Sequence, residues 1–392
     1  MSTLKTINII HPTGSTNNMV SDAGGNVTVG NNLTVTGNET VSGNLTVTGT
    51  VSGNLTVTGN VSVTGAIIPS SSYKRNRIIN GNMLIDQRYG GTQTGTSISG
   101  YTVDRFTVTQ SVTGKLNAQQ SAAVYPVGFT KSLSVTSQSA YTVGTTDYYA
   151  IQQAIEGLNV ADLAWGTANA KTVTLSFQAY SSLTGTFGGS LRNSATNRSY
   201  PFTYTISSAN TWTPVSITVA GDTTGTWLTD NGVGLYVCWG LGVGSQYNGT
   251  AGAWAAQNYI SATGAVSVVG TNGATFFITG VQLEVGTIAT PYERQIYSDQ
   301  LAQCQRYYEV CSNLTFSGYN VATAGIGSSI SFKMTKRSTP ELAVVTAPTL
   351  LNCSSFLSSG IISVDSFYAA AAVTTTGNAN FVNATVSASA EL

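Results

Sequence analysis

The sequence predicts an all-β protein: a narrow shaft of short repeated strands, then a β-sandwich, a short helix and a small C-terminal β domain. Three observations predict it. Residues 25–68 alternate Leu or Val with Thr between regularly placed Gly-Asn turns. Residues 71–293 carry longer alternating apolar runs rich in aromatics. One stripe at helical spacing falls within 294–311, and further strand-like runs follow over 312–392.

Residues 1–24 show no convincing periodicity and hold the only histidine, His11, in Ile9-Ile10-His11-Pro12. With no acidic or thiol neighbours, that imidazole reads as structural. The shaft, 25–70, has glycines at 30, 37, 43, 49, 53, 59 and 65. Between them, runs such as Leu45-Thr46-Val47-Thr48 put Leu and Val on one face and Thr on the other. Gly-Asn supplies the turns. Asn26, Asn32, Asn38, Asn44 and Asn54 form Asn-x-Thr sequons as a by-product of the repeat, and read as turn chemistry rather than glycosylation. One chain cannot bury so thin an apolar stripe unaided. Stacking into a solenoid, a dimer, or three chains around an axis would each cover it.

After the linker Pro69-Ser70-Ser71-Ser72, the sandwich of 71–293 opens with the basic run Lys74-Arg75-Asn76-Arg77, read as a solvated joint. Its clearest strands are Thr172–Phe177, Pro214–Val219, Gly234–Trp239 and Ala274–Val281. A helical interlude is expected near Ala150–Gly157. Trp239 reads as core, and Trp165, Trp212 and Trp227 as core or rim. In the helix of 294–311, Ser298 can cap and Asp299 suits the positive end. Tyr297, Leu301, Cys304, Tyr308 and Cys311 form its stripe, which suits a helix lying on its own sandwich or a three-helix collar on a trimer axis. Ser329–Phe332, Leu342–Val345 and Phe381–Val386 are the strands expected in 312–392.

Composition excludes several function classes. Sixteen Lys and Arg balance sixteen Asp and Glu, and charged residues make up only 8% of the chain, against about 25% in ordinary soluble domains. Such a surface cannot drive counterion release from phosphates, so neither nucleic acid nor an electrostatic membrane anchor is expected. No stretch approaches the roughly 20 apolar residues of a membrane span. Met1-Ser2-Thr3-Leu4-Lys5 has no secretory pattern. Cys238, Cys304, Cys311 and Cys353 have no metal-type spacing, and free thiols in a reducing compartment are expected.

Catalysis and cofactors are not expected. Glycoside hydrolysis ordinarily needs two carboxylates flanking the bond. The sandwich's Asp86, Asp104, Asp147, Glu156, Asp162, Asp222, Asp230 and Glu284 are scattered without a local signature, and a Ser-His-Asp triad would need the remote His11. Asp86, Arg88, Asp104 and Arg105 read as structural anchors over ligand contacts. Alternation puts Gln282 and Glu284 on one face, where Glu284 suits a salt bridge to Arg294 or Arg105, with calcium ligation the other reading. Sugar binding needs flat aromatic faces with amides and hydroxyls. Thr146–Tyr149, Ser245–Asn248 and Ala253–Tyr259 offer both, and Tyr247, Trp254 and Asn258 are the candidate contacts, each also open to a structural reading.

Three stretches taken together resemble a known family. Asn76-Arg77-Ile78-Ile79-Asn80-Gly81-Asn82-Met83, with Asp86-Gln87-Arg88 and Tyr101-Thr102-Val103-Asp104-Arg105-Phe106, resembles the opening of bacteriophage tail-fibre heads. Gly280–Gly286 with Thr290-Pro291-Tyr292-Glu293-Arg294 resembles their closing strand, and Gln303-Cys304-Gln305-Arg306-Tyr307-Tyr308-Glu309 the helix that follows. Ala390-Glu391-Leu392 matches how such chains end, and His11-Pro12 with Gly25–Gly30 resembles their attachment end and shaft. The resemblance implies a jelly-roll head related to carbohydrate-binding modules, a homotrimer, a place in the virion and a role in host adhesion. It implies two partners, a tail or baseplate protein at the N-terminus and a host-surface polysaccharide or lipopolysaccharide. A baseplate spacer, a depolymerising spike and a bacterial adhesin are its rivals. It supplies no sugar-contact residue.

Overall fold

The computed structural model describes residues 8–10, 17–21, 27–29, 74–92, 100–356 and 362–392, and the chain divides into two compact units, Met1–Ile68 and Pro69–Leu392. In the first unit, β1 (Asn8–Ile10), β2 (Asn17–Ser21) and β3 (Val27–Val29) form an antiparallel sheet in that order, with Ile9 opposite Met19 and Val20 opposite Thr28. The 1–24 segment, aperiodic in sequence, supplies two of these strands. The repeat from 30 to 68, on which the shaft and its trimeric packing were expected, lies outside the described residues.

The second unit begins with a sandwich. Its strands in chain order are β4 (Gly100–Tyr101), β5 (Phe106–Gln110), β6 (Leu116–Ser121), β7 (Ser132–Ser137), β8 (Tyr148–Glu156), β9 (Val173–Ser181), β10 (Gly185–Arg192), β11 (Ser199–Ile206), β12 (Thr213–Val219) and β13 (Val233–Val243). Two short strands that pair with each other follow, β14 (Asn248–Gly249) and β15 (Ser261–Ala262), and then β16 (Thr275–Val285). One antiparallel sheet runs β11-β10-β13-β8-β5-β4, the other β12-β9-β16-β7-β6. Alternation sends Phe106 and Val108, Tyr149 and Ile151, and Leu235, Val237 and Trp239 inward, where they meet Leu175, Phe177, Phe276 and Ile278 of the second sheet. Trp239 is fully buried and meets Phe177 edge-on at 5.7 Å.

The helical interlude expected near Ala150–Gly157 is strand β8 instead. Ala, Gln and Glu favour a helix locally, but β8 pairs with β5 on one side and β13 on the other, and those ladders override propensity. Only short 3₁₀ turns follow, at Gly157–Asn159 and Ala161–Leu163.

The helix, α1, spans Tyr297–Gln305, shorter than the 294–311 expected. Ile296, not Ser298, occupies its N-cap, with no side-chain cap. The stripe breaks after Cys304 because Tyr308–Cys311 already ladder with Ser389–Val386. Cys304 is buried within its own unit, and burial pushes its thiol well above the ordinary range, whereas Tyr297 is exposed.

Seven further strands follow: β17 (Tyr308–Asn320), β18 (Gly325–Ser331), β19 (Glu341–Thr346), β20 (Thr349–Leu351), β21 (Cys353–Phe356), β22 (Ser366–Val373) and β23 (Gly377–Ser389). β17-β23-β19 with β20, and β18-β22-β21, make two small sheets over a core that includes Phe367, Phe381 and Val386. All four cysteines are free.

The residues that carry the family resemblance fasten this unit together. Asn76 donates to the Val281 carbonyl at 3.1 Å and accepts from the Leu283 N–H at 3.0 Å, and Asn80 donates to the Ile85 and Asp104 carbonyls. Arg88 lies 3.6 Å over the Tyr308 ring and Arg105 3.6 Å over Tyr307. Both arginines pair with Glu391 after the last strand. The run Lys74–Arg77 is not the solvated joint expected: Arg75 reaches Glu284 at 3.5 Å, Asn76 is buried, and Arg77 donates to Asp162 at 2.7 Å. Glu284 thus pairs with Arg75 rather than Arg294 or Arg105, and also accepts the Thr290 N–H and hydroxyl. Arg294 covers the Phe129 ring instead.

Candidate functional site

On the six-stranded sheet, residues that alternate away from the core share the outer face. Register lines up Thr107 (β5), Gln152 (β8), Cys238 (β13) and Ser190 (β10) in one row. Ala154, Tyr236 and Arg192 form another row, and Thr109, Ala150 and Gly240 a third. Small side chains dominate, so the face is shallow. The 244–262 segment folds onto it: the Ile260 N–H donates to the Tyr247 carbonyl at 2.8 Å, and β14 pairs with β15. Gly188 and Gly240 permit this approach, because a Cβ on either would come within 2.6 Å of the Ser261 hydroxyl oxygen.

A pocket of about 250 Å³ opens where the segment meets the sheet, lined by Thr109, Tyr148, Gln152, Arg192, Tyr247, Asn258 and Ile260. Tyr148 and Tyr247 meet edge-on, rings 5.6 Å apart. Arg192 donates to the Asn258 side-chain oxygen at 2.6 Å and to that of Gln152 at 3.2 Å. Its guanidinium lies 5.3 Å over Tyr236. Burial pushes the Tyr236 phenol up, with Arg192 pulling the other way, so Tyr236 stays a neutral donor at physiological pH. Aromatic edges, amides and a guanidinium thus converge on one polar pocket, the makings of a saccharide site.

Two of the sequence candidates, Tyr247 and Asn258, come together here. Trp254 does not line this pocket. Its indole packs edge-on against Trp165, Trp227 and Tyr200 at 5.3–5.4 Å and donates to the Ala220 carbonyl. Sequence reading missed Arg192, Gln152 and Tyr236. The one signal was a lone charge, Arg192, following an inward Leu191 in a strand.

A larger cleft, about 450 Å³, lies by the other sheet and includes Gln178, Pro214, Tyr292 and Arg294. Its Phe129 ring is already engaged, edge-on by Tyr292 and by Arg294.

The acids of the sandwich are engaged structurally. Asp86 accepts turn N–H groups of Tyr89 and Gly91, Asp147 that of Gly144, and Asp230 that of Gly232. Asp104 holds Gln87, Glu156 holds Arg306 and Tyr307, Asp162 holds Arg77, and Asp222 holds Arg198 through two bonds of 2.7 Å. Glu284 binds Thr290, and Glu293 the backbone of Asn76. Among the described residues no cluster of three or more His, Cys, Asp or Glu could hold a metal ion, and no helix is long and apolar enough to cross a membrane.

No family model and no curated protein matches the chain. Among solved structures it is similar to the enzymatically active domain of a bacteriophage CBA120 tailspike, 12% identical over 54% of this chain and 22% of that one, with a TM-score of 0.30. It is also similar to a family 11 carbohydrate-binding module from Clostridium thermocellum, 12% identical over 50% and 98% of the two chains, TM-score 0.27. A xylan-binding domain from Paenibacillus barcinonensis is 9% identical over 51% and 97%, TM-score 0.25. At these scores the likeness carries no argument about function.

Proposed function

We propose that this chain is a homotrimeric adhesive fibre of a virion tail, with a jelly-roll head that takes host-surface polysaccharide or lipopolysaccharide. Its N-terminal end docks on a tail or baseplate protein and its repeat projects the head. The observation that carries the reading is the Tyr148–Tyr247–Asn258–Gln152–Arg192 pocket, lined without a carboxylate. A pocket so lined can bind a saccharide and has no acid–base pair with which to cut it. Three such sites on one fibre, and several fibres per virion, add avidity to weak individual contacts.

Trimerisation draws support from the C-terminal β domain. Val344, Val345, Leu350 and Leu351 are exposed on β19 and β20, 36–57% accessible in the single chain. β19 and β20 run in succession along one side of β23, and exposed apolar side chains along such an edge suit cover by another copy of the chain.

The test is adsorption. The purified full chain is expected to bind host cells and block infection, and Tyr247→Ala with Asn258→Ala to abolish both. Unchanged adsorption of the double variant would remove the pocket from the reading, and a chain that neither binds nor blocks would be a spacer. Oligosaccharide released from host polysaccharide would make it a depolymerising spike.

A further inference from the structure

Arg192 is only 7% exposed, yet among the described residues it meets no carboxylate. Arg75, Arg77, Arg88, Arg105, Arg198 and Arg306 of this unit each pair with an acid, and the two that do not, Arg294 and Arg337, are less buried and donate to backbone carbonyls. Arg192 has instead two neutral amide oxygens, from Asn258 and Gln152, and the Tyr236 ring. Its Nε is buried with no partner, and so is the hydroxyl of Ser190, two residues back on the same face. Removing a guanidinium from water is costly unless an anion answers it. This one lines a pocket open to a ligand.

Resting on the saccharide reading above, we propose that the pocket selects an anionic sugar: a residue bearing a carboxylate, as in uronic acids, or a sulfate ester. The ligand's charged oxygens meet the remaining N–H groups of Arg192, a planar fork suited to paired anionic oxygens. Asn258 and Gln152, each taking one N–H, hold the guanidinium in place. Tyr148 and Tyr247 then take the ring's C–H face and hydroxyls. No covalent step is involved.

The experiment uses the full chain and four immobilised polymers: polygalacturonate, the same polymer after reduction of its carboxyl groups, dextran sulfate and plain dextran. Retention is expected on at least one charged polymer and not on its neutral counterpart, and which charged polymer retains the chain separates carboxylate from sulfate. Arg192→Gln is expected to weaken that retention about ten- to a hundredfold, the loss of a charge-assisted contact, with Arg192→Lys intermediate. Should Arg192→Gln misfold, the paired polymers still decide with the unaltered chain. Equal retention on charged and neutral partners, or none on either charged polymer, overturns the anionic inference. Loss of neutral-polymer binding in Tyr247→Ala while Arg192→Gln keeps it would leave the saccharide pocket standing and sink the anionic inference alone.

Discussion

Glu391 accepts a hydrogen bond of 2.9 Å from Arg88, and its other oxygen pairs with Arg105, a side chain 1% exposed. One carboxylate beyond β23 therefore neutralises two guanidiniums at the start of the sandwich, tying the last strand of the unit to its first. Arg337 holds the same segment by its backbone, donating to the Ala390 carbonyl at 2.9 Å and the Glu391 carbonyl at 2.8 Å.

Glu391→Gln keeps the shape and strips the charge, leaving Arg105 buried without its anion. The expected loss is about 3–5 kcal/mol, the usual consequence of breaking one side of a buried pair. Urea unfolding of the full chain followed by circular dichroism measures it, and a loss below about 1 kcal/mol would show that the pair contributes no more than an exposed one.

Asp104, beside this cluster, gives a pH signature. Burial pushes its carboxyl up to about 6 from an ordinary 3.8, with Arg88 and Gln87 offsetting only part of the rise. Between roughly pH 4 and 6 the folded chain then binds the proton more tightly than the unfolded one, so this group's contribution to stability falls as pH rises through that window and is flat above it. Asp104→Asn is expected to remove the slope. Asp222 runs the other way: burial alone would raise it, but the bonds from Arg198 outweigh burial and hold it low, so its contribution is lost in acid.

Trp254→Ala distinguishes packing from recognition. The indole is half-buried among Trp165, Trp227 and Tyr200, so truncation is expected to destabilise by about 2–3 kcal/mol, short of a full core Trp. Binding at the Tyr247–Asn258 pocket is expected to persist. A variant of unchanged stability that has lost host adsorption would return Trp254 to the site.

Gly188→Ala tests the folded-over segment. The added Cβ would lie 2.8 Å from the Ala262 backbone nitrogen and 2.5 Å from the Ser261 hydroxyl oxygen, so 244–262 must lift. The expectation is a cost of about 1–3 kcal/mol together with loss of retention on the ligand polymer. Retention at full strength would mean the segment is not a wall of the site.

Val345→Asp with Leu351→Asp tests assembly. Both side chains are more than half exposed in the single chain, so charges there are expected to leave the protomer folded and to lower the native mass from trimer to monomer by light scattering. A trimeric double variant would place the interface elsewhere.

Much of the sandwich is legible because its strands are short runs rich in β-branched and aromatic residues: Thr172–Phe177, Pro214–Val219, Gly234–Trp239 and Ala274–Val281 all overlap observed strands. β8 is not, because Ala-Ile-Gln-Gln-Ala-Ile-Glu favours a helix until β5 and β13 flank it. α1 is misjudged in length because Tyr308 and Cys311 continue the helical spacing while their backbones pair with β23. The site is the least legible part. Arg192, Gln152 and Asn258 come from separate elements and converge only through register and the return of 244–262 over the sheet. The familiar motifs carry a different message, since Asn76, Asn80, Arg88, Tyr307 and Glu284 act as fasteners.

Few ionised groups are present, and Arg88, Arg105, Arg198, Arg306 and Lys336 direct theirs at carboxylates inside the chain. Dissolved ions reach such sheltered pairs poorly. The folded body should therefore keep its shape from brine to rainwater, with hydroxyls and amides left to meet whatever medium surrounds it.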